Sequence, residues 1–240
     1  MKEHAIVSPS AAHRWLNCTR APQLEATLPR KTSIYAEEGT LAHRVCEIAA
    51  KVRFYKAENA EFQKTVEQLR KDPLWDDEML RTAGLYVAYL ADRAAYYHHN
   101  PKVAFEAKVD ISEYAPEAFG RCDCIMLCGN TLVIADYKHG KGVPVSATKN
   151  PQMMLYALGA LNLWEKTELI KQVEISIVQP RIDFFGKWKC TVDELLAWGE
   201  SIKSTAKMAY EGKGEFNAGK WCRFCRAKGI CEATREGAAE

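Results

Sequence analysis

Four cysteines tie the two ends of this sequence to each other. Cys222, Cys225 and Cys231 stand in the spacing C-x2-C-x5-C near the end, and Cys18 is the only cysteine near the start. Four thiolates can hold a structural zinc or an iron–sulfur cluster, and either would close a loop around nearly the whole polypeptide. A lone C-x2-C is often two packed or surface cysteines. A third cysteine six residues on, set among Trp221, Phe224, Gly229 and basic residues, favours a metal site, and the spacing leaves both metals open. The other cysteines, Cys46, Cys122, Cys124, Cys128 and Cys190, read as small core residues, since an odd total of nine points to a reducing compartment and away from a disulfide framework.

At 240 residues, 48% hydrophobic and 27% charged, the chain suits one large domain with a full core. The opening MKEHAIVSPSAAHRW lacks the apolar run of a signal peptide, and no later stretch approaches a membrane span, so the expected location is the cytoplasm, with no membrane partner. A net charge of +2 does not decide for or against a nucleic-acid partner, because binding needs a local basic patch. Two such patches exist: Lys138, His139, Lys141 and Lys149 in the middle, and Lys220, Arg223, Arg226 and Lys228 around the cysteines.

The first hundred residues read as helices. Ser8 can cap one through Leu16, a second runs from near Thr40 through Val52, a weaker one covers Glu58 to Arg70, and a long one follows Pro73 from about Asp76 to His98. From Lys102 the period changes to two: Val103, Phe105, Ala107 and Val109 alternate with Glu106, Lys108 and Asp110. Strands are expected at 121–128, 131–138 and 172–179, with a short one near 184–189, and helices at about 148–164 and 192–210. This order makes an α/β fold with a mixed sheet.

Gly129-Asn130 separates the two middle strands and suits a two-residue hairpin turn. If it is the turn, opposed residues have numbers summing to 259, and Asp123 lies across from Asp136. Opposed side chains share a sheet face with Cβ atoms roughly 4.5 to 5.5 Å apart, so the carboxylates would point the same way, with Lys138 on that face too. Ile125 and Ile134, then Leu127 and Leu132, continue the strip. Two carboxylates this close repel unless a cation stands between them. A divalent metal such as Mg2+, held by the acids and leaving positions open for a phosphate, resolves the conflict, with Lys138 orienting its water or stabilising charge. The plainer alternative is an Asp/Lys salt bridge at a strand end.

With these residues in place, the chain resembles the PD-(D/E)XK nuclease superfamily, in its RecB-like branch with a four-cysteine iron–sulfur cluster. The family's G-x2-D and D-x-K elements match Gly120 to Asp123 and Asp136 to Lys138; G-T-x2-H matches Gly39, Thr40 and His43; Q-x3-Y matches Gln152 and Tyr156; the cluster pattern matches Cys18, Cys222, Cys225 and Cys231. SPSAAHRWLNC, EEGTLAH and GKGVPVSA, with the following NPQMMLYALGAL, look like an uncharacterised phage-associated group of that branch. The family's proline before the first aspartate is absent, Cys122 standing there.

The resemblance implies a restriction-endonuclease-like core with a mixed central sheet, as one nuclease domain over 1–240. A mainly helical part would cover 1–100, the core 101–211, and a cysteine tail 212–240 closing onto Cys18. It implies Mg2+ or Mn2+ held by His43, Glu106, Asp123, Asp136 and the backbone carbonyl of Tyr137. Lys138 would be the catalytic lysine, with Gln152 and Tyr156 on one helix face beside the site. It favours [4Fe-4S] over structural Zn2+ at the cysteines. The expected activity is hydrolysis of DNA phosphodiesters, as an exonuclease processing ends in phage-type replication or recombination, with a recombination or single-strand-binding protein as a candidate partner. The alternative is a catalytically silent DNA-binding module assisting a recombination partner.

Overall fold

The computed structural model describes residues 5–29, 32–97, 100–164 and 169–236. Pro9 opens a 3-10 turn, Pro9–Ala11, that runs into the one-turn helix α1 (Ala12–Trp15). Ser8, expected as the cap, makes no capping bond; its hydroxyl lies 3.3 Å from that of Ser10. Helix α2 (Ala21–Ala26) follows, and α3 (Ile34–Tyr55) starts six residues ahead of the expected Thr40. The true cap is Ser33, whose hydroxyl accepts the Ala36 N–H at 3.2 Å. No apolar stripe marks its exposed first turns, which is why periodicity places the start too late. Helices α4 (Asn59–Leu69) and α5 (Glu78–Tyr96) complete the helical part; the expected end of α5, His98, lies outside the described residues.

Strands β1 (Lys102–Asp110), β2 (Phe119–Cys128), β3 (Thr131–Tyr137), β4 (Gln172–Gln179) and β5 (Phe184–Thr191) form one sheet in sequence order. β3 and β4 are parallel and the other neighbours antiparallel, so the sheet is mixed, as expected. A parallel pair needs a crossover, and α6 (Pro151–Ala160) provides it. This helix is shorter than expected: Asn150 caps it, and Pro151 fixes its first turn. Helix α7 (Val192–Glu211) begins with a capping box between Thr191 and Glu194, and α8 (Glu232–Glu236) follows the last cysteine.

Each sheet face carries its own core. On one, Ile125, Leu132, Ile134, Ile175 and Ile177 pack with Met153 and Leu155 of α6 and Leu195 and Ile202 of α7. On the other, Cys124, Met126, Val133 and Tyr137 pack with Leu41 and Val45 of α3 and Met79, Tyr86 and Leu90 of α5. The β2–β3 register runs from Cys128↔Thr131 to Cys124↔Ala135, each pair summing to 259. Gly129 takes φ 62 at the first turn position and Asn130 does not follow it, the pattern of a II′ turn. Among the described residues no helix is long and apolar enough to cross a membrane.

Candidate functional site

The site lies where β1 and β2 both change face. Simple alternation would keep Phe105 and Val109 on one side, yet Phe105 packs in the α3/α5 core and Val109 in the α6/α7 core; Cys124 and Cys122 divide in the same way. The register is unchanged on either side, Phe105↔Cys124 and Ala107↔Cys122, while the ladder skips the pair between them, Glu106 and Asp123. Glu106 takes φ 49, a left-handed conformation uncommon for a non-glycine residue and typical of functional positions. This corrects the expectation that Glu106 shares a polar face with Lys108 and Asp110, because the break turns it towards His43 and Asp123.

One ligand atom each from His43, Glu106 and Asp123 lies within 4.8 Å of the others. His43, on α3, places Nδ1 3.2 Å from Oδ2 of Asp123, and the same oxygen accepts the Tyr137 N–H at 2.8 Å. Asp123 is therefore not a simple cross-strand twin of Asp136: the two have different partners. Asp136 is 2% exposed, with Lys138 Nζ 2.8 Å from its Oδ2. The Asp136 carboxylate is thus paired with a cation, and the pair stands beside the His43, Glu106 and Asp123 set. A convergent imidazole and two carboxylates fit a hard divalent ion. Tyr137 sends its phenol to the opposite face, 2.8 Å from Thr82 and from His139, and sets its ring against the edge of His43. Its carbonyl remains a candidate ligand by position alone.

Burial opposes ionisation of every group here, and the neighbours decide the outcome. For Asp123 it is outweighed by His43, Lys138 and the Tyr137 N–H, which hold the carboxyl below its ordinary value. For Asp136, burial and the nearby Asp123 prevail over Lys138, and the carboxyl is raised. Glu106 is pushed up to about 7 by burial and then by Asp123. Burial disfavours the His43 cation, but Asp123 and Asp136 push it up to about 9. Lys138 is likewise raised, burial being offset by Asp136. The metal-free site thus keeps protons that a cation would displace.

Gln152 and Tyr156 meet through a hydrogen bond from the Gln152 amide to the Tyr156 hydroxyl, 3.2 Å. Tyr156 is buried, and burial followed by Asp136 raises its phenol. A Cβ on Gly120 would stand 2.5 Å from Cε1 of Tyr156 and 2.9 Å from Cγ of Pro9, so the glycine three residues before Asp123 makes room for this ring. Gly39 has no such steric role, since a Cβ there meets nothing within 4 Å. Thr40 lines an open cleft with His43, Arg44, Glu47, Glu106 and Arg121, so the site is reachable from solvent.

One group was not legible in advance. Arg181, 8% exposed in its side chain, donates to Glu38 at 2.7 Å and Glu78 at 2.9 Å, and Glu38 also meets Nε2 of His139 at 3.0 Å. These contacts join α3, α5 and the end of β3 just past Lys138. The buried charge of an Arg in P-R-I-D was the available signal.

Cys18, Cys222, Cys225 and Cys231 line one cavity whose other walls include Ala21, Leu24, Phe216 and Trp221. All four are free thiols, and the Asn217 N–H points at Sγ of Cys18, 3.4 Å away. Around the cavity, Glu25 accepts from Arg14 at 2.7 Å and from the Arg226 N–H at 2.9 Å, joining the first helices to the tail. The other five cysteines are buried; burial raises their thiols, Cys128 and Cys190 to about 11.

Among known proteins, the family described as protein of unknown function DUF2800 matches residues 4–240, and the chain belongs to it. A solved structure titled "Crystal structure of SSO0001" is similar at 12% identity over 93% of this chain and 96% of that one, with a TM-score of 0.36, too low to carry an argument.

Proposed function

We propose that this member of the DUF2800 family is a divalent-metal-dependent deoxyribonuclease with a restriction-endonuclease-like core, an exonuclease acting at DNA ends in phage-type replication or recombination. The observation that carries the reading is the meeting of the buried Asp136–Lys138 pair with the convergent ligand atoms of His43, Glu106 and Asp123. A salt bridge alone would explain Asp136 and Lys138 but not the three further ligand atoms or the left-handed Glu106.

When bound, Mg2+ or Mn2+ would lower the pKa of a water and neutralise phosphate charge. His43, Glu106, Asp123 and Asp136, with the Tyr137 carbonyl, are the groups to hold it. Hydrolysis joins the oxygen of water to phosphorus and breaks one ester P–O bond, the leaving oxygen taking a proton. Lys138, kept cationic by Asp136, stands where it can orient the water and stabilise charge that grows on the phosphate. Gln152 and Tyr156 border the same point and can hold the strand. At the tail, the cavity shared by the four cysteines and the N–H directed at Cys18 suit a thiolate-bound centre, and the family resemblance favours [4Fe-4S] over zinc there.

The test is cleavage of an end-labelled linear duplex beside the same sequence as a covalently closed circle, in magnesium and in manganese. The linear form should be degraded and the circle spared. Asp136→Ala and Lys138→Ala should each lose at least about 100-fold in rate while binding duplex normally in calcium, since affinity comes mostly from phosphate contacts. Wild-type turnover in Asp136→Ala would refute the site; equal cutting of the circle would refute the end-processing role.

A further inference from the structure

The tail carries more than cysteines. Phe224 is 78% exposed, exceeded only by Tyr35 among the described large hydrophobic residues. Trp221 takes the inward place instead: it lines the cysteine cavity, donates its indole N–H to the Asn217 carbonyl at 2.7 Å and meets the ring of His13. The Arg223 guanidinium lies over the Phe224 ring, 5.3 Å from its centre. The basic residues of this stretch fall into two classes. Arg226 is committed to structure, its backbone N–H and guanidinium going to Glu25 and Leu28. Lys220, Arg223 and Lys228 are exposed and form no ion pair with a described residue. An exposed ring with Arg223 over it, on a stretch that also carries the exposed Lys220 and Lys228, suits a strand that offers both flat bases and phosphates.

The N-terminal segment connects this surface to the candidate metal site. Pro9 packs beside Gly120 and Tyr156, and Arg14, five residues on, reaches the Phe224 carbonyl at 3.4 Å. Five helical residues rise about 8 Å. Between them the exposed side chains are Ser10 and His13, with no carboxylate in Pro9–Trp15 to repel a phosphate.

We propose that the tail is a second contact for single-stranded DNA: a strand led past Ser10 and His13 from the metal site stacks a base on Phe224 and sets phosphates against Lys220, Arg223 and Lys228. A duplex keeps its bases stacked on each other, so the ring can serve only an unpaired one. This inference rests on the deoxyribonuclease reading above.

The experiment measures binding of a fluorescent oligo-dT to the full chain as purified, in calcium, over a salt series. Phe224→Ala should weaken binding about ten-fold. Lys220→Gln with Lys228→Gln should flatten the log–log salt slope by about 1.4, at about 0.7 per phosphate contact on a single strand. All substituted side chains are exposed, so melting temperature and visible absorbance should match wild type. If wild-type protein cleaves DNA but both variants bind oligo-dT with wild-type affinity and slope, the tail surface is refuted and the nuclease reading stands. If wild-type protein neither binds nor cleaves DNA, both fall together.

Discussion

A carboxylate removed from water must find a cation or keep a proton, and the acids of the site divide on this point. Asp123 has His43 and the Tyr137 N–H and stays ionised, whereas Glu106 and Asp136 are drawn towards protonation. The hairpin register was legible because a two-residue loop with glycine sets it locally, although the ladder stops at Cys124↔Ala135, one pair short of the two aspartates. The left-handed Glu106 was not: the alternation from Val103 to Val109 is intact in sequence, and the break shows only in which helices each residue packs against. A pH dependence follows. Glu106 and His43 have folded values of about 7 and about 9, both above their ordinary ones, so the metal-free fold binds more protons here than the unfolded chain. Their stabilising contribution is complete below the unfolded values and is lost as pH rises through about 7 and then about 9. A bound cation replaces those protons. The gap in melting temperature between Mn2+ and EDTA should therefore widen from about pH 5.5 to about pH 9, and His43→Gln should flatten its upper half. A gap that stays constant in wild type would mean these groups do not hold the ion.

Strands and helices were read well wherever a local signal marks them. β1 and β4 begin and end where alternation does, and the glycine turn places β2 against β3. The start of α3 was missed because only the Ser33 cap marks it: Ile34 and Tyr35 are exposed and join no apolar stripe. Contacts between distant elements left no trace: Glu38 and Arg181 are 143 positions apart. Arg181 is the tie that keeps α3, which bears His43, in fixed relation to α5 and to the end of β3, which bears Asp136. Arg181→Met should cost about 1 kcal/mol in urea unfolding, because Glu38 would keep only His139, and Glu78 only Arg81 and Lys141, as partners. Adding Glu38→Gln should recover part of that loss, and additive losses would show that the contact is not coupled.

At the scale of the whole chain, the two ends meet at the cysteine cavity, at Glu25 and through bonds such as that from the Thr19 hydroxyl to the Lys213 carbonyl. The cysteine spacing pointed to the first; nothing in the sequence marks Glu25, which is held between Arg14 on one side and the tail on the other. Cys18→Ser or Cys231→Ser should remove visible absorbance and lower the melting temperature together, while Cys190→Ser should spare the absorbance, since Cys190 lies in the α6/α7 core. Equal bleaching in all three would mean the ligand set is wrong, and stoichiometric zinc without iron would overturn the cluster. The meeting of the ends also sets a timetable. Helices α1 and α2 pack against α7, so a segment made early rests on one made about 170 residues later. The stretch from Cys18 to Cys231 takes roughly 10 to 40 s to translate at about 5 to 20 residues per second. For that interval the Cys18 thiol lacks the three tail cysteines that share its cavity. A nascent chain arrested before Cys222 should therefore leave Cys18 open to alkylation that the finished protein resists.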